Sequence, residues 1–232
     1  ELYKYFKESS SVSTDTRLIK KGSIFFALKG ENFDGNKFAE EAINNGASYA
    51  IIDDHSLNNP KFIKVKNALK SLQDLSNFHR SKFLKTKIIA LTGSNGKTTT
   101  KELISEVLKK KYRIISTIGN LNNHIGVPLT LLRIKSDTEI AIVEMGANHL
   151  NEIKFLTELI NPDFGLITNF GKAHLEGFGS IEGVIKGKSE LFDFLINNNK
   201  KAFINNDDPV QNQFVGNKIS FAVASQCPHC RQ

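Results

Sequence analysis

The 232-residue sequence is 40% hydrophobic and 24% charged, with 16 glycines and 5 prolines, which excludes fibrous and disordered classes and leaves one large globular domain or two modest ones. Its net charge of +7 is spread evenly, 14 basic and 10 acidic groups up to residue 85 and 17 and 14 beyond it, so no nucleic-acid-binding arm stands out. With two cysteines, no apolar run near the ~18 residues of a membrane span and no apolar centre in the polar stretch Glu1 to Ser11, a cytoplasmic protein without disulfide framework, membrane span or signal peptide is expected.

Along the chain, short apolar runs (Ile24 to Leu28, Tyr49 to Ile52, Phe62 to Val65) surround one amphipathic segment, Lys37 to Asn45, that stops at Gly46. A helix is expected over Lys70 to Phe83, with Leu72, Leu75, Phe78 and His79 near helical spacing. This first α/β unit is expected to span residues 1 to 84. From Ile88 the pattern alternates: strand (Ile88 to Leu91), helix (Thr98 to Lys110), strand (Arg113 to Ser116), helix (Val127 to Arg133) and strand (Glu139 to Glu144). It continues with a helix (Leu150 to Ile160), a strand (Gly165 to Thr168), a helix (Ile181 to Asn197) and a strand (Ala202 to Asn205). Such alternation implies a mostly parallel sheet covered by helices on both faces, a three-layer α/β/α domain over 85 to 224, with its chemistry at the carboxyl ends of the strands. The stretch 225 to 232 breaks the pattern. Its Cys227, His229 and Cys230 lack the second ligand pair of a zinc site, and a divergent tail is the simpler reading.

The strongest local signal is Thr92-Gly93-Ser94-Asn95-Gly96-Lys97-Thr98-Thr99-Thr100, between an apolar strand and a helix expected to turn Leu103, Ile104, Val107 and Leu108 inward. Gly93 to Thr99 can cradle phosphate with backbone N–H groups, Lys97 can reach the β and γ phosphates, and Thr98 can ligate magnesium. The usual P-loop has a further glycine five residues before Gly96, where this chain has Leu91, so the motif is a shortened G-x-x-G-K-T loop. The rival reading is a glycine-rich turn that only starts a helix.

Glu144 ends a strand near that loop and is a candidate metal ligand, against the alternative of a solvated strand-end carboxylate. Asn169 and His174 follow the next strand into the same crevice, where His174 serves as metal ligand, general base or an ordinary structural histidine. On the helix Ile181 to Asn197, Lys188 falls on the face defined by residues 181, 184, 185, 191, 192 and 195. It needs a partner, a long reach to water, or modification, and a neutral amine can take up CO₂ to become a carbamate ligand for a second magnesium. The amide-rich loop Gly119 to Pro128 offers Asn120, Asn122 and Asn123 to a polar substrate, or uses them for ordinary turn chemistry.

Taken together, these segments resemble the Mur ligases, ATP-dependent amide-forming enzymes of bacterial cell-wall synthesis whose ATP loop has the same shortened form. Gly119 to Leu132, Glu144 to His149 and Ala173 to Ser180 look like the branch that adds D-alanyl-D-alanine to UDP-MurNAc-tripeptide, and Ser13 to Arg17 and Phe25 to Gly35 look like its nucleotide-sugar domain. The resemblance implies that Lys97 and Thr98 serve ATP and the first of two magnesium ions, and that Glu144 holds metal. It implies that His174 and a carbamylated Lys188 support the second. Asp15, Thr16, Arg17, Lys29 and Gly30 would lie near the uridine diphosphate sugar, and Asn120, Asn122 and Asn123 near the peptide carboxylate. The expected reaction is phosphorylation of that carboxylate to an acyl phosphate, then attack by the dipeptide amine. The expected partners are these two substrates, with no nucleic acid, acting on a monomer. The family also has a third, C-terminal domain that this chain stops before, so the isolated chain is expected to be incomplete as an enzyme. Rival readings are another Mur-type or folylpolyglutamate-type ligase, and a non-catalytic nucleotide- or sugar-binding module.

Overall fold

The computed structural model describes residues 1–172 and 175–222; His174, Cys227, His229 and Cys230 lie outside the described residues. Its contacts divide the chain into two compact units, Glu1–Lys82 with Leu131–Arg133, and Phe83–Thr130 with the described residues from Ile134 onward.

The first unit opens with helix α1 (Leu2–Glu8) and strand β1 (Val12–Ser13), followed by β2 (Ile24–Phe26), the hairpin β3 (Lys29–Gly30) and β4 (Phe33–Asp34), and α2 (Ala39–Asn44). It closes with β5 (Tyr49–Ile52), β6 (Phe62–Lys64) and α3 (Ala68–Ser81). A four-stranded parallel sheet runs β1-β2-β5-β6. All three residues of β2 are buried, because the sheet is covered on both faces, and Phe25, Ala39, Ala42, Ala47, Ala50 and Ile52 form one side of the core. The small side chains on α2 let it sit close to the sheet. The amphipathic segment Lys37 to Asn45 is split, a 3₁₀ turn Gly35–Phe38 preceding α2, because Asp34 caps the turn through the Asn36 N–H and sets its own start. Helix α1 had no periodic signal in seven residues. It is held by Tyr3 and Phe6, which meet Phe78 and His79 of α3 edge-on or tilted at 5.0 to 5.8 Å.

The second unit contains β7 (Lys87–Thr92), α4 (Lys97–Leu108), β8 (Ile114–Ser116), α5 (Gly126–Leu131), whose last residue groups with the first unit, β9 (Ile140–Glu144) and α6 (Glu152–Ile160). After these come β10 (Phe164–Ile167), α7 (Leu175–Phe178), α8 (Ile181–Asn197), β11 (Lys201–Asn205) and β12 (Lys218–Phe221). The six strands run β12-β11-β10-β7-β9-β8, all parallel, as the alternating pattern requires. β9 is buried from Ala141 to Glu144 without alternation, the mark of a strand covered on both faces; Ile142 and Val143 each contribute about 1.5–3 kcal/mol. The strand order jumps between β7 and its neighbours β9 and β10, and the loops after these three strands meet at one edge. Among the described residues, no helix is long and apolar enough to cross a membrane.

One sequence expectation is overturned and one strand had no sequence signal. Leu103 and Val107 of α4 are exposed (63% and 71%), and the buried residues on that helix are Lys101 and Ser105. The phase of α4 follows from the loop that launches it, not from its apolar residues: Lys97 folds back onto Gly93, and the stripe one and two turns on faces inward with it. Strand β12, which no pattern announced, is a four-residue edge strand with every residue exposed, so it carries no burial periodicity.

Candidate active site

The loop after β7 is built for close backbone approach. Gly93 has φ +143°, and a Cβ there would stand 1.9 Å from Thr168 Oγ1, so only glycine fits. Gly96, at φ +76°, turns the chain into the first turn of α4, whose leading N–H groups have no intrahelical acceptor. The segment after β10 fixes the loop from outside. The Ser94 and Asn95 N–H groups donate to Asn169 O (3.0 Å) and Oδ1 (3.1 Å), Asn169 Nδ2 and Thr168 Oγ1 donate to Asn95 O (3.0 and 2.7 Å), and Ser94 Oγ donates to Gly171 O (2.8 Å). The amide of Asn169 therefore shapes the loop. Lys97 is half-buried with Nζ folded onto Gly93 O (2.7 Å) and Ser94 O (3.2 Å); burial pulls its pKa below the usual lysine range, against the opposing pull of Glu144. Thr99 lies exposed on the first turn of α4.

Glu144 pairs in register with Leu91, which puts its carboxylate beside the loop and 1% exposed. Oε1 accepts from Thr98 Oγ1 (3.2 Å) and Asn122 Nδ2 (2.9 Å), whereas Oε2 is buried without a hydrogen-bond donor. The Lys101 ammonium stands 3.7 Å from Oε2 without donating to it, and a buried carboxylate oxygen with no donor stays costly unless a cation comes closer. A carboxylate beside a threonine hydroxyl is a hard-oxygen set that suits magnesium, with further ligands left to phosphate or water. The described residues contain no group of three or more His, Cys, Asp and Glu arranged to hold a metal by themselves.

Lys188 is 1% exposed on the inward face of α8. Among the described residues it makes no hydrogen bond or ion pair, and its ammonium lies 5.5 Å from the Phe178 ring centre. Burial, with the charge of Lys97 added, lowers its pKa to about 8. It does not snorkel. Asn122, through Glu144 Oε1 and its carbonyl's bond from Gly146 N (2.7 Å), is joined to this site. Asn123 Oδ1 instead accepts from Ile125 N and Gly126 N at the start of α5, and Asn120 is exposed on the same loop.

A cleft of about 600 Å³ adjoins the loop, bounded by Asn169, Phe170 and Gly171 on one side, Ile181 and Ile185 of α8 on another, and Asn205 and Asp207 to Val210 after β11. Gln211 fastens that last turn, accepting from Asn205 N (3.1 Å) and donating to Ile167 O (3.1 Å). No residue of this turn is among the candidates drawn from the sequence. A polar run directly after the carboxyl end of a parallel strand was the available signal.

In the first unit, Asp15, Thr16 and Arg17 share one turn. Asp15 accepts from the Arg17 N–H and guanidinium, which lower its pKa to about 2. Lys29 and Gly30 lie on the β3–β4 hairpin, and Lys29 pairs with Asp53 (2.9 Å). Among the described residues, no hydrogen bond or ion pair joins these two groups. Beneath the hairpin, Asn36 uses its whole amide: Nδ2 donates to Asp34 and Asp53, and Oδ1 accepts from the Asp53 and Asp54 N–H groups. Burial pushes the Asp53 carboxyl up, but its bonds from Lys29, Asn36 and Ala68 N–H outweigh this and hold it low.

Two family descriptions match the chain: "Mur ligase family, catalytic domain" over residues 8–83 and "Mur ligase middle domain" over 91–226. Among curated proteins, the UDP-N-acetylmuramoyl-tripeptide--D-alanyl-D-alanine ligases of Bacillus subtilis and Escherichia coli are 42% and 41% identical to it over 88% and 81% of this chain. It spans 45% and 41% of those two proteins, somewhat under half their length. Among solved structures, MurF from Acinetobacter baumannii and MurF from Thermotoga maritima in complex with ADP each superpose with a TM-score of 0.82 at 31% identity, over 95% and 94% of this chain and 52% and 51% of theirs.

Proposed function

The chain belongs to the Mur ligase family, and from that premise we propose that the whole protein it forms part of joins D-alanyl-D-alanine to UDP-MurNAc-tripeptide at the expense of ATP. One observation carries the reading for this chain: the glycine loop, Lys97, Thr98 and the donorless Oε2 of Glu144 converge at the carboxyl ends of β7 and β9.

In this reading the α4 N-terminus and loop N–H groups receive the β and γ phosphates, and Lys97 leaves its carbonyl partners to pair with the γ-phosphate. The cleft beside Asn169 and Asp207 takes the nucleoside. A terminal carboxylate oxygen of the peptide attacks the γ-phosphorus and ADP departs, leaving an acyl phosphate. The amine of the dipeptide then attacks the acyl carbon, loses a proton, and phosphate leaves as the amide forms. Thr98 and Glu144 would hold magnesium, which would supply positive charge to the transferred phosphoryl group. Asn169 holds the loop in shape, and Asn122 orients Glu144.

Lys188 is the proposed support of a second magnesium, as a carbamate. With a pKa of about 8 it is neutral about one time in ten at pH 7, against about one in three thousand for a lysine at 10.5, and only the neutral amine adds CO₂. His174, lying outside the described residues, is proposed beside it. In the first unit, the Asp15–Arg17 turn and Lys29 with Gly30 are the proposed contacts of the uridine diphosphate sugar. Since ATP and nucleotide sugars are cytoplasmic metabolites, the reaction is placed in that compartment.

Lys97→Ala is expected to abolish ATP-dependent ADP release by a full-length protein containing this chain while leaving the fold intact. Turnover near the unaltered level would reject the phosphate-binding assignment. ADP release with other amine acceptors but not with D-alanyl-D-alanine would move the protein to another branch of the family.

A further inference from the structure

Lys101 sits one helical turn beyond the phosphate loop, and its side chain is wholly buried. Its ammonium donates to the carbonyl of Gly119 (3.1 Å), pairs with Glu102 Oε1 (3.1 Å) and stands 3.7 Å from Glu144 Oε2. A structural ion pair would close that last gap, since burying two charges is repaid only by good geometry and direct hydrogen bonds. Here the gap stays open. Gly119 and Glu102 hold the ammonium back, and Oε2 is left without a donor yet in the field of that ammonium.

That arrangement has a consequence for any divalent ion approaching Glu144. Even at the dielectric constant of water, a unit charge and a divalent ion about 6 Å apart repel by about tenfold in binding constant, and the penalty grows as the site is buried. A polyphosphate arriving with the ion brings more than enough negative charge to offset it. We propose that Lys101 is a resident cation that weakens the Glu144 site for a lone divalent ion, so that the ion enters as a complex with a polyphosphate. The inference rests on the reading of Glu144 as a metal ligand. Lys101 touches no reacting atom in this account; it acts through Glu144 and the Gly119 carbonyl.

The test is manganese binding to the nucleotide-free chain, read as loss of the free-ion electron paramagnetic resonance signal. Lys101→Gln keeps a donor for Gly119 O and removes the charge, and it is expected to tighten manganese binding at least tenfold; unchanged or weaker binding overturns the inference. Glu102→Gln, on the exposed face, frees the ammonium to move toward Glu144 and is expected to weaken binding several-fold. Unchanged or tighter binding would overturn it, and this variant decides the matter if Lys101→Gln fails to fold by circular dichroism. Adding Glu144→Gln to Lys101→Gln separates the two layers. If the double variant keeps the tight binding, the ion is not at Glu144 and the metal reading falls along with the inference. If Glu144→Gln alone removes binding while Lys101→Gln leaves it unchanged, only the role of Lys101 falls.

Discussion

Replacing Lys188 by Met removes a buried cation from the apolar face of α8 while keeping an unbranched side chain of similar length. In the folded protein this amine titrates at about 8 instead of 10.5. At 1.36 kcal/mol per pH unit, the protonated form is disfavoured in the folded state by about 3 kcal/mol. The unfolded chain holds the proton up to pH 10.5 and the folded chain releases it near 8, so between these values the unfolded state binds more protons and stability rises with pH. Below pH 8 the full cost is present; above 10.5 it is gone. The stability advantage of Lys188→Met over the unaltered chain is therefore expected to be about 3 kcal/mol larger at pH 7 than at pH 10.5 and above. Urea denaturation of both proteins in CO₂-free buffers at the two pH values measures it, and titrating groups that do not interact with Lys188 cancel in the comparison. A difference that does not change with pH would refute the claim that Lys188 is held as a desolvated cation.

Gly93→Ala puts a methyl group 1.9 Å from Thr168 Oγ1 at a φ that side-chain-bearing residues avoid, so the loop must shift. ATP affinity by isothermal titration is expected to fall at least tenfold, and wild-type affinity would show that the loop's observed path is not the binding path. Asn36→Ala removes four hydrogen bonds from a residue 2% exposed and leaves the Asp53 and Asp54 N–H groups without their acceptor. A loss of about 2–4 kcal/mol is expected in denaturant unfolding; a loss below about 1 kcal/mol would mean the hairpin is held by other contacts.

The loop after β7 was legible as a tight strand-to-helix turn because its glycines, lysine and threonine come with an apolar strand before them and a helix after. Glu144 was legible for the same reason, as the end of a strand that the register places next to β7. Lys188 stood out because a lysine on an apolar face violates amphipathic patterning. The same rule misled at α4, where Leu103 and Val107 are exposed and Lys101 is buried. There the geometry of the loop sets which side of the helix turns inward, and composition has no say; a lysine five residues after Gly96 reads as a solvated charge until Glu144 and Gly119 are placed around it. The amides of the Gly119 to Pro128 loop were equivalent in sequence. In three dimensions they divide, Asn122 serving the Glu144 carboxylate and Asn123 capping α5. The Asn205 to Val210 wall of the cleft went unread because its residues are ordinary turn formers, and their role comes from the strand end they follow.

The most direct test of the account follows oxygen. A full-length protein containing this chain, given UDP-MurNAc-tripeptide labelled with ¹⁸O in its terminal carboxylate, D-alanyl-D-alanine, ATP and magnesium, should release phosphate carrying one carboxylate-derived ¹⁸O for each amide formed. Unlabelled phosphate, or ADP release that forms no amide, would contradict an acyl phosphate made at the crevice of Lys97, Thr98 and Glu144.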